Sequence, residues 1–280
     1  MKVLVTGITG QLGFDVVNEL TRRNIDTIAA ARKDFDLTDE VSTSNFIKAH
    51  KPDAVIHCAA YTAVDKAENE PELAMKVNGT ATETIAKVCS EIDAKMIYIS
   101  TDYVFPGDGD APYETNDKKN PPNAYGQSKL AGENAVINNL KKYFIVRISW
   151  VFGVNGKNFV KTMLRLSETK DKLTVVNDQI GSPTYTADLA PLLVDMVQTD
   201  KYGIYHATNE GFCSWAEFAA EIFRQSGAKT EVIPVPSSEY PTKAVRPKNS
   251  RLSKQSLDSA GFKRLPSWQD AVKRYLNERT

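Results

Sequence analysis

Val3, Leu4 and Val5 open the chain as an unbroken apolar run with no polar face. Such a run reads as a strand buried on both sides, as in a parallel sheet. Leu12, Val16, Val17 and Leu20 then recur at helical spacing up to Asn24. The two patterns alternate from there. Asp26 to Ala31 reads as a strand, and Glu40 to His50 as a helix with Pro52 at its exit. Ala54 to Cys58 is a third buried strand. A long helix follows, opened by Pro71, carrying Ala74, Val77, Ile85 and Val88, and ending near Ile92. Lys95 to Ser100 is a strand, a helix begins near Asn123, and Tyr143 to Ser149 is a fifth strand. Strands separated by helices in this way predict an α/β fold with a doubly wound parallel sheet.

Beyond residue 150 the pattern loosens. Asn158 to Leu166 is amphipathic, Leu173 to Val176 a short strand, and Asp178 to Thr184 a loop. Ala187 to Val197 is apolar and helical, and Tyr202 to Ala207 strand-like. Ser214, with Glu217 three residues on, makes a capping box. Trp268 to Tyr275 forms a closing helix.

The turn after the first strand carries the first chemistry. Gly7, Gly10 and Gly13 stand at three-residue intervals between that strand and the helix. Strand, glycine-rich turn and helix in this order make a Rossmann-like dinucleotide cradle. The turn brings backbone close to a pyrophosphate, and the N–H groups of the helix start face its charge. An acidic residue at the end of the second strand would favour NAD. Here Arg32 and Lys33 stand there, and two cations suit the 2′-phosphate of NADP(H), with NAD(H) as the alternative. Asp36 and Leu37 could flank the adenine. His57 lies inside an apolar run and is expected to be a packed core histidine.

The reaction chemistry falls at the carboxyl end of the fourth strand and on the helix after it. Ser100, Thr101, Asp102 and Tyr103 end the strand, where a doubly wound sheet binds ligands. A turn-rich loop follows, with Gly107, Gly109, Pro112, Pro121 and Pro122, long enough for a lid. Tyr125 and Lys129, four apart, share one helical face. A free phenol titrates near 10, and a neighbouring ammonium is expected to lower that value. Such a tyrosine gives a proton to an alkoxide or takes one from an alcohol. Lys129 could also bond a nicotinamide ribose, and Thr101 the same carbonyl oxygen. Trp150 could wall the substrate pocket, and Arg246, after a proline-rich stretch, is a candidate anion contact.

Composition narrows the setting. The 280 residues are ample for a large core, as one α/β domain or a nucleotide domain with a smaller companion. Lys plus Arg and Asp plus Glu both number 35, so nothing suggests nucleic acid or an acidic membrane as partner. Cys58, Cys89 and Cys213 form neither a metal spacing nor a disulfide framework, which makes a reducing cytoplasm the expectation. No stretch reaches transmembrane length.

Several segments together resemble a known family. They are GITGQLG at 7–13, HCAAYTAVDKAE at 57–68, STDYVF at 100–105, YGQSK at 125–129, RISWVFG at 147–153, DQIGSPT at 178–184, SWAEFA at 214–219 and RPKNSRL at 246–252. The chain resembles the extended short-chain dehydrogenase/reductases, and within them the dTDP-4-dehydrorhamnose reductase family. The resemblance implies an NADP-binding domain over 1–150, with a return at about 172–210. It also implies a smaller, discontinuous sugar-nucleotide domain over 151–280. It implies reduction of the 4-keto group of dTDP-4-dehydro-L-rhamnose by NADPH, for polysaccharide biosynthesis. Thr101, Tyr125 and Lys129 would be the catalytic trio. Gly7, Gly10, Gln11, Leu12 and Gly13 would hold the pyrophosphate. Ala59, Ala60 and Tyr61 would line the nucleotide, and Asn78 is placed with the cofactor set. Thr62, Val64, Asp102, Tyr103 and Trp150 would face the sugar, and Arg246 the substrate diphosphate.

Related 4,6-dehydratases carry a glutamate after Thr-Asp; Tyr103 stands there in this chain, which argues against a dehydratase. An epimerase, or a reductase of another 4-keto nucleotide sugar, stays open, as does a non-catalytic NADP-binding regulatory subunit. Some family members are described as dimers bridged by magnesium through acidic residues, and Asp15 stands near one such position. A homodimer is therefore an expectation, but no metal site is predicted and the chemistry requires none.

Overall fold

The computed structural model describes residues 1–279. Its centre is a six-stranded sheet. The strands β1 (Lys2–Thr6), β2 (Asp26–Ala30), β3 (Ala54–His57), β4 (Lys95–Thr101) and β5 (Tyr143–Ile148) are joined by Gly203–His206 at one edge. From that edge the order runs Gly203–His206, β5, β4, β3, β1, β2, and every pairing is parallel. Val3, Leu4 and Val5 are fully buried, as an unbroken apolar run requires of a strand covered on both faces.

One face is covered by α1 (Gln11–Arg22) and the helix Thr186–Val197, which pack on each other over Val16, Leu20, Leu189 and Leu193. The other face carries α2 (Glu40–His50) and the helices Ala81–Glu91 and Ala124–Asn139, over Ile47, Ile85, Met96 and Val136. The chain leaves β1 for β2 on one side and returns to β3 on the other. The carboxyl ends of β1 and β3 therefore part to form the ligand crevice of a doubly wound sheet.

A second apolar cluster lies apart from the sheet. Phe152, Tyr185, Phe218, Trp268 and Tyr275 build it, beneath Trp215–Ser226 and Trp268–Arg279. Small sheets frame it: Val151–Phe152 with Thr184–Tyr185, Lys172–Val176 with Glu231–Val235, and Ile180–Gly181 between Cys213–Ser214 and Asn249–Ser250.

Two sequence expectations are corrected. The stretch 178–184 is not all loop, because Ile180–Gly181 and Thr184 pair with segments far along the chain. Lys172–Val176 buries Leu173 and Val175 in the second cluster, and the helix Thr186–Val197 packs on the first. The long helix expected from Pro71 is interrupted by a π-helical turn at Lys76–Thr80. Such turns concentrate at functional sites, and this one carries Asn78.

Among the described residues no helix is long and apolar enough to cross a membrane.

Candidate active site

The ends of β1, β3 and β4 open into one cleft of about 820 Å³. At one end lie Gly7, Gly10, Gln11, Leu12 and Gly13, with Arg32, Asp36, Leu37, Ala59 and Ala60. Gly7 has φ +73°, and a Cβ there would stand 2.6 Å from the Ala59 nitrogen. A Cβ on Gly13 would stand 2.4 Å from the Gly7 carbonyl oxygen. Only glycines let the turn close up against Cys58 and Ala59, just after β3, and let α1 close up against the turn. That close approach is what a pyrophosphate cradle needs. The residues fit a dinucleotide: a turn of small residues at a helix start, apolar Phe35 and Leu37, and a cation, Arg32, at the β2 side.

Thr62, Val64, Thr101, Asp102, Tyr103, Tyr125, Lys129 and Trp150 line the other end. The helix carrying Tyr125 and Lys129 starts at Asn123, whose Oδ1 accepts from the Gly126 amide at 2.8 Å. Four-residue spacing turns both side chains to the cleft. Lys129 Nζ donates to the Ile99 carbonyl at 2.7 Å and sits 4.1 Å from the centre of the Tyr98 ring. Burial pushes Lys129 down to about 7, against the pull of the Glu133 carboxylate. Thr101 Oγ1 donates to Asp102 Oδ1 at 2.8 Å, and burial raises that carboxyl to about 6.

Tyr125 behaves differently from expectation. Burial first, then the Asp102 carboxylate, raises its phenol well above the ordinary 10, with a Thr101 hydrogen bond opposing. Lys129 does not lower it, because its ammonium is turned to the Ile99 carbonyl and the Tyr98 ring. Tyr125 is therefore held as a neutral phenol, the form that donates a proton.

Three expected site residues do not line the cleft. Tyr61 turns its hydroxyl to Glu70 at 2.6 Å. Asn78 is buried behind the wall: its Oδ1 accepts from the Tyr61 amide at 2.8 Å, and its Nδ2 donates to the Tyr61 carbonyl at 3.0 Å and to Ser128 Oγ at 2.9 Å. It thus fixes the backbone after β3 against the Tyr125 helix. Arg246 stands just behind Tyr103, donating to its hydroxyl at 3.2 Å and to Asp65 Oδ2 at 2.5 Å. His57 is a core histidine: Thr6 Oγ1 is 2.7 Å from its Nδ1, and burial lowers its pKa to about 3.

Sequence reasoning missed Trp215, Gly156 and Lys157, which also line the cleft. Trp150 holds φ +51° and stacks on Trp215 at 3.7 Å between ring centres. A bulky residue in that conformation is unusual and costs about 1–3 kcal/mol. Nothing local in the sequence signals that pair, because 65 residues separate its members.

Asp15 is buried, its Oδ2 has no hydrogen-bond partner among the described residues, and burial raises its carboxyl above the ordinary value. Asp188 spends both oxygens on Arg274, at 2.5 and 2.7 Å, and Glu278 accepts from Tyr185 at 2.5 Å. Among the described residues no three acidic, histidine or cysteine side chains stand together as a metal set.

A parallel sheet with a glycine cradle at its switch point, and a tyrosine–lysine pair beside it, defines the short-chain dehydrogenase/reductase class of oxidoreductases. Comparison with known proteins narrows this. The family model described as RmlD substrate binding domain matches residues 1–280. The chain is 42% identical to the spore coat polysaccharide biosynthesis protein SpsK of Bacillus subtilis, over 100% of this chain and 98% of that protein. It is 41% identical to the dTDP-4-dehydrorhamnose reductase of Salmonella typhimurium, over 99% and 98%. Its fold matches the crystal structure of dTDP-4-dehydrorhamnose reductase from Bacillus anthracis in complex with NADP. That match has a TM-score of 0.97 and 42% identity, over 99% of this chain and 100% of that one. The chain belongs to the dTDP-4-dehydrorhamnose reductase family.

Proposed function

We propose that this enzyme reduces the 4-keto group of dTDP-4-dehydro-L-rhamnose to the alcohol of dTDP-L-rhamnose with NADPH, a step of nucleotide-sugar supply for polysaccharide. The observation that carries the reading is that Thr101, Tyr125 and Lys129 line the same cleft as the glycine turn Gly7–Gly13. Gly7, Gly10, Gln11, Leu12 and Gly13 hold the pyrophosphate, Asp36 and Leu37 flank the adenine, and Arg32 meets the 2′-phosphate. Residues 1–150, with a later return, form the nucleotide domain, and the second cluster supports the sugar-nucleotide domain.

When bound, the reduced nicotinamide supplies a hydride to the carbonyl carbon. Tyr125 donates its proton to the carbonyl oxygen as negative charge develops there. Thr101 steadies that oxygen by a hydrogen bond. Lys129 would bond the ribose hydroxyls of the bound dinucleotide, and its charge would stabilise the tyrosinate left after proton transfer. Trp150 and Tyr103 shape the sugar pocket, and Arg246 exchanges Asp65 for the substrate diphosphate.

Stopped-flow loss of NADPH absorbance with dTDP-4-dehydro-L-rhamnose tests this. Tyr125→Phe should lower turnover by about 10²–10⁴-fold, the usual worth of a positioned proton donor, while NADPH binding is kept. Wild-type turnover in that variant would sink the assignment, and a product other than dTDP-L-rhamnose by NMR would replace the substrate.

A further inference from the structure

The segment 153–158, Gly-Val-Asn-Gly-Lys-Asn, comes from the far side of the chain and is fastened onto the glycine turn. Asn155 Nδ2 donates to the carbonyls of Thr9 and Gly10, both at 3.0 Å. Asn158 Nδ2 donates to Gln11 Oε1 at 3.0 Å and to the Gly153 carbonyl at 2.8 Å. Lys161 Nζ closes the segment from within, donating to the carbonyls of Val154 at 2.6 Å and Gly156 at 2.8 Å. Gly156 has φ +69°, and a Cβ on it would stand 3.3 Å from the Gln11 side chain. These bonds take up carbonyls of the turn, whose Gly10 amide is itself bonded to the Gly7 carbonyl at 3.0 Å.

The segment therefore delivers the next residue, Lys157, to the cleft beside the turn. Lys157 is exposed and lines the cleft with Gly10 and Gln11. Among the described residues no carboxylate is paired with it. A lysine with no carboxylate partner, on a segment fastened to a glycine turn at a helix start, has one chemical partner of fitting sign in this cleft: the phosphate oxygens of a bound dinucleotide.

We infer that Lys157 is a cofactor-binding residue that contacts the pyrophosphate of the dinucleotide, with Asn155 and Asn158 as the clamp that presents it. The inference rests on the dinucleotide reading of the cleft. It also separates two cationic roles: Arg32 reads the 2′-phosphate at the adenine end, and Lys157 the pyrophosphate that NADPH and NADH share.

Fluorescence titration of NADPH and of NADH, with no sugar nucleotide present, tests it on wild type, Lys157→Met and Arg32→Ala. Lys157→Met keeps the apolar stem and, being at the surface, leaves the core untouched. It should weaken both dinucleotides by a similar factor of about tenfold, the order of one charge-assisted hydrogen bond. It should also flatten the dependence of Kd on ionic strength. Arg32→Ala should weaken NADPH and leave NADH unchanged. Unchanged affinities in Lys157→Met would overturn the inference, and so would a loss for NADPH alone. Failure of the wild type to bind either dinucleotide would overturn the cleft reading itself, a different result from any of these.

Discussion

The two ends of the cleft are built in opposite ways. The cradle end is nearly continuous in sequence: Gly7 to Gly13 lie between a buried strand and its helix, with Gly7 against the backbone of Cys58 and Ala59 just after β3. Its binding groups are backbone amides, so its shape follows from where side chains are missing. The sugar end is gathered from distant segments: Thr62 and Val64, Asp102 and Tyr103, Tyr125, Trp150, Trp215 and, behind them, Arg246. Its binding groups are side chains, each held by another element. The contrast teaches that the first end tolerates no added atom, whereas the second tolerates exchange of individual residues at a cost in one function.

The largest break of this contrast is expected at the cradle. In Gly13→Ala the new Cβ meets the backbone oxygen of Gly7 at 2.4 Å, where no side chain can yield. NADPH affinity should fall by well over tenfold and thermal stability by about 1–3 kcal/mol. Titration and a thermal melt check both. Wild-type affinity would mean that α1 shifts freely and the cradle is not tight.

The next effect concerns buried charge at the sugar end. Burial raises Asp102 from the ordinary 3.8 to about 6. Between those values the folded state keeps a proton that the unfolded state has lost. Wild-type stability from this group is therefore highest below about pH 4 and falls as pH rises toward 6, by on the order of 3 kcal/mol. Asp102→Asn removes that fall. The melting temperature of the variant, relative to wild type, should rise from pH 4 to pH 7; a relative fall over that range would contradict the buried carboxylate.

The smallest effect sharpens the division of labour. Arg246→Ala should raise the KM for the sugar nucleotide by about tenfold, as for one lost charge-assisted contact. Turnover at saturation and NADPH affinity should stay near wild type. Steady-state kinetics in both substrates check it, and a matching rise in the Kd of NADPH would place Arg246 with the wrong ligand.

The sequence alone determined what depends on neighbours along the chain. Hydrophobic runs and their alternation with helical spacing marked the strands of the sheet, since burial on both faces demands apolar residues at every position. The three glycines marked the cradle, because a close backbone approach can be written only as an absence of side chain. Tyr125 and Lys129 were legible because a helix turns four-residue spacing into one face. What the tertiary structure decided is what depends on segments meeting across the fold. It turned Lys129 to the Ile99 carbonyl and left Tyr125 protonated, since burial and the Asp102 charge reach it through space. It placed Asn78 on a π-helical turn, paired Trp150 with Trp215, and held Arg246 on Asp65. It also fastened Asn155 to the carbonyls of Thr9 and Gly10. Those residues lie about 145 positions apart, and no local pattern records such a contact, because its energy exists only once the sheet has brought both ends together.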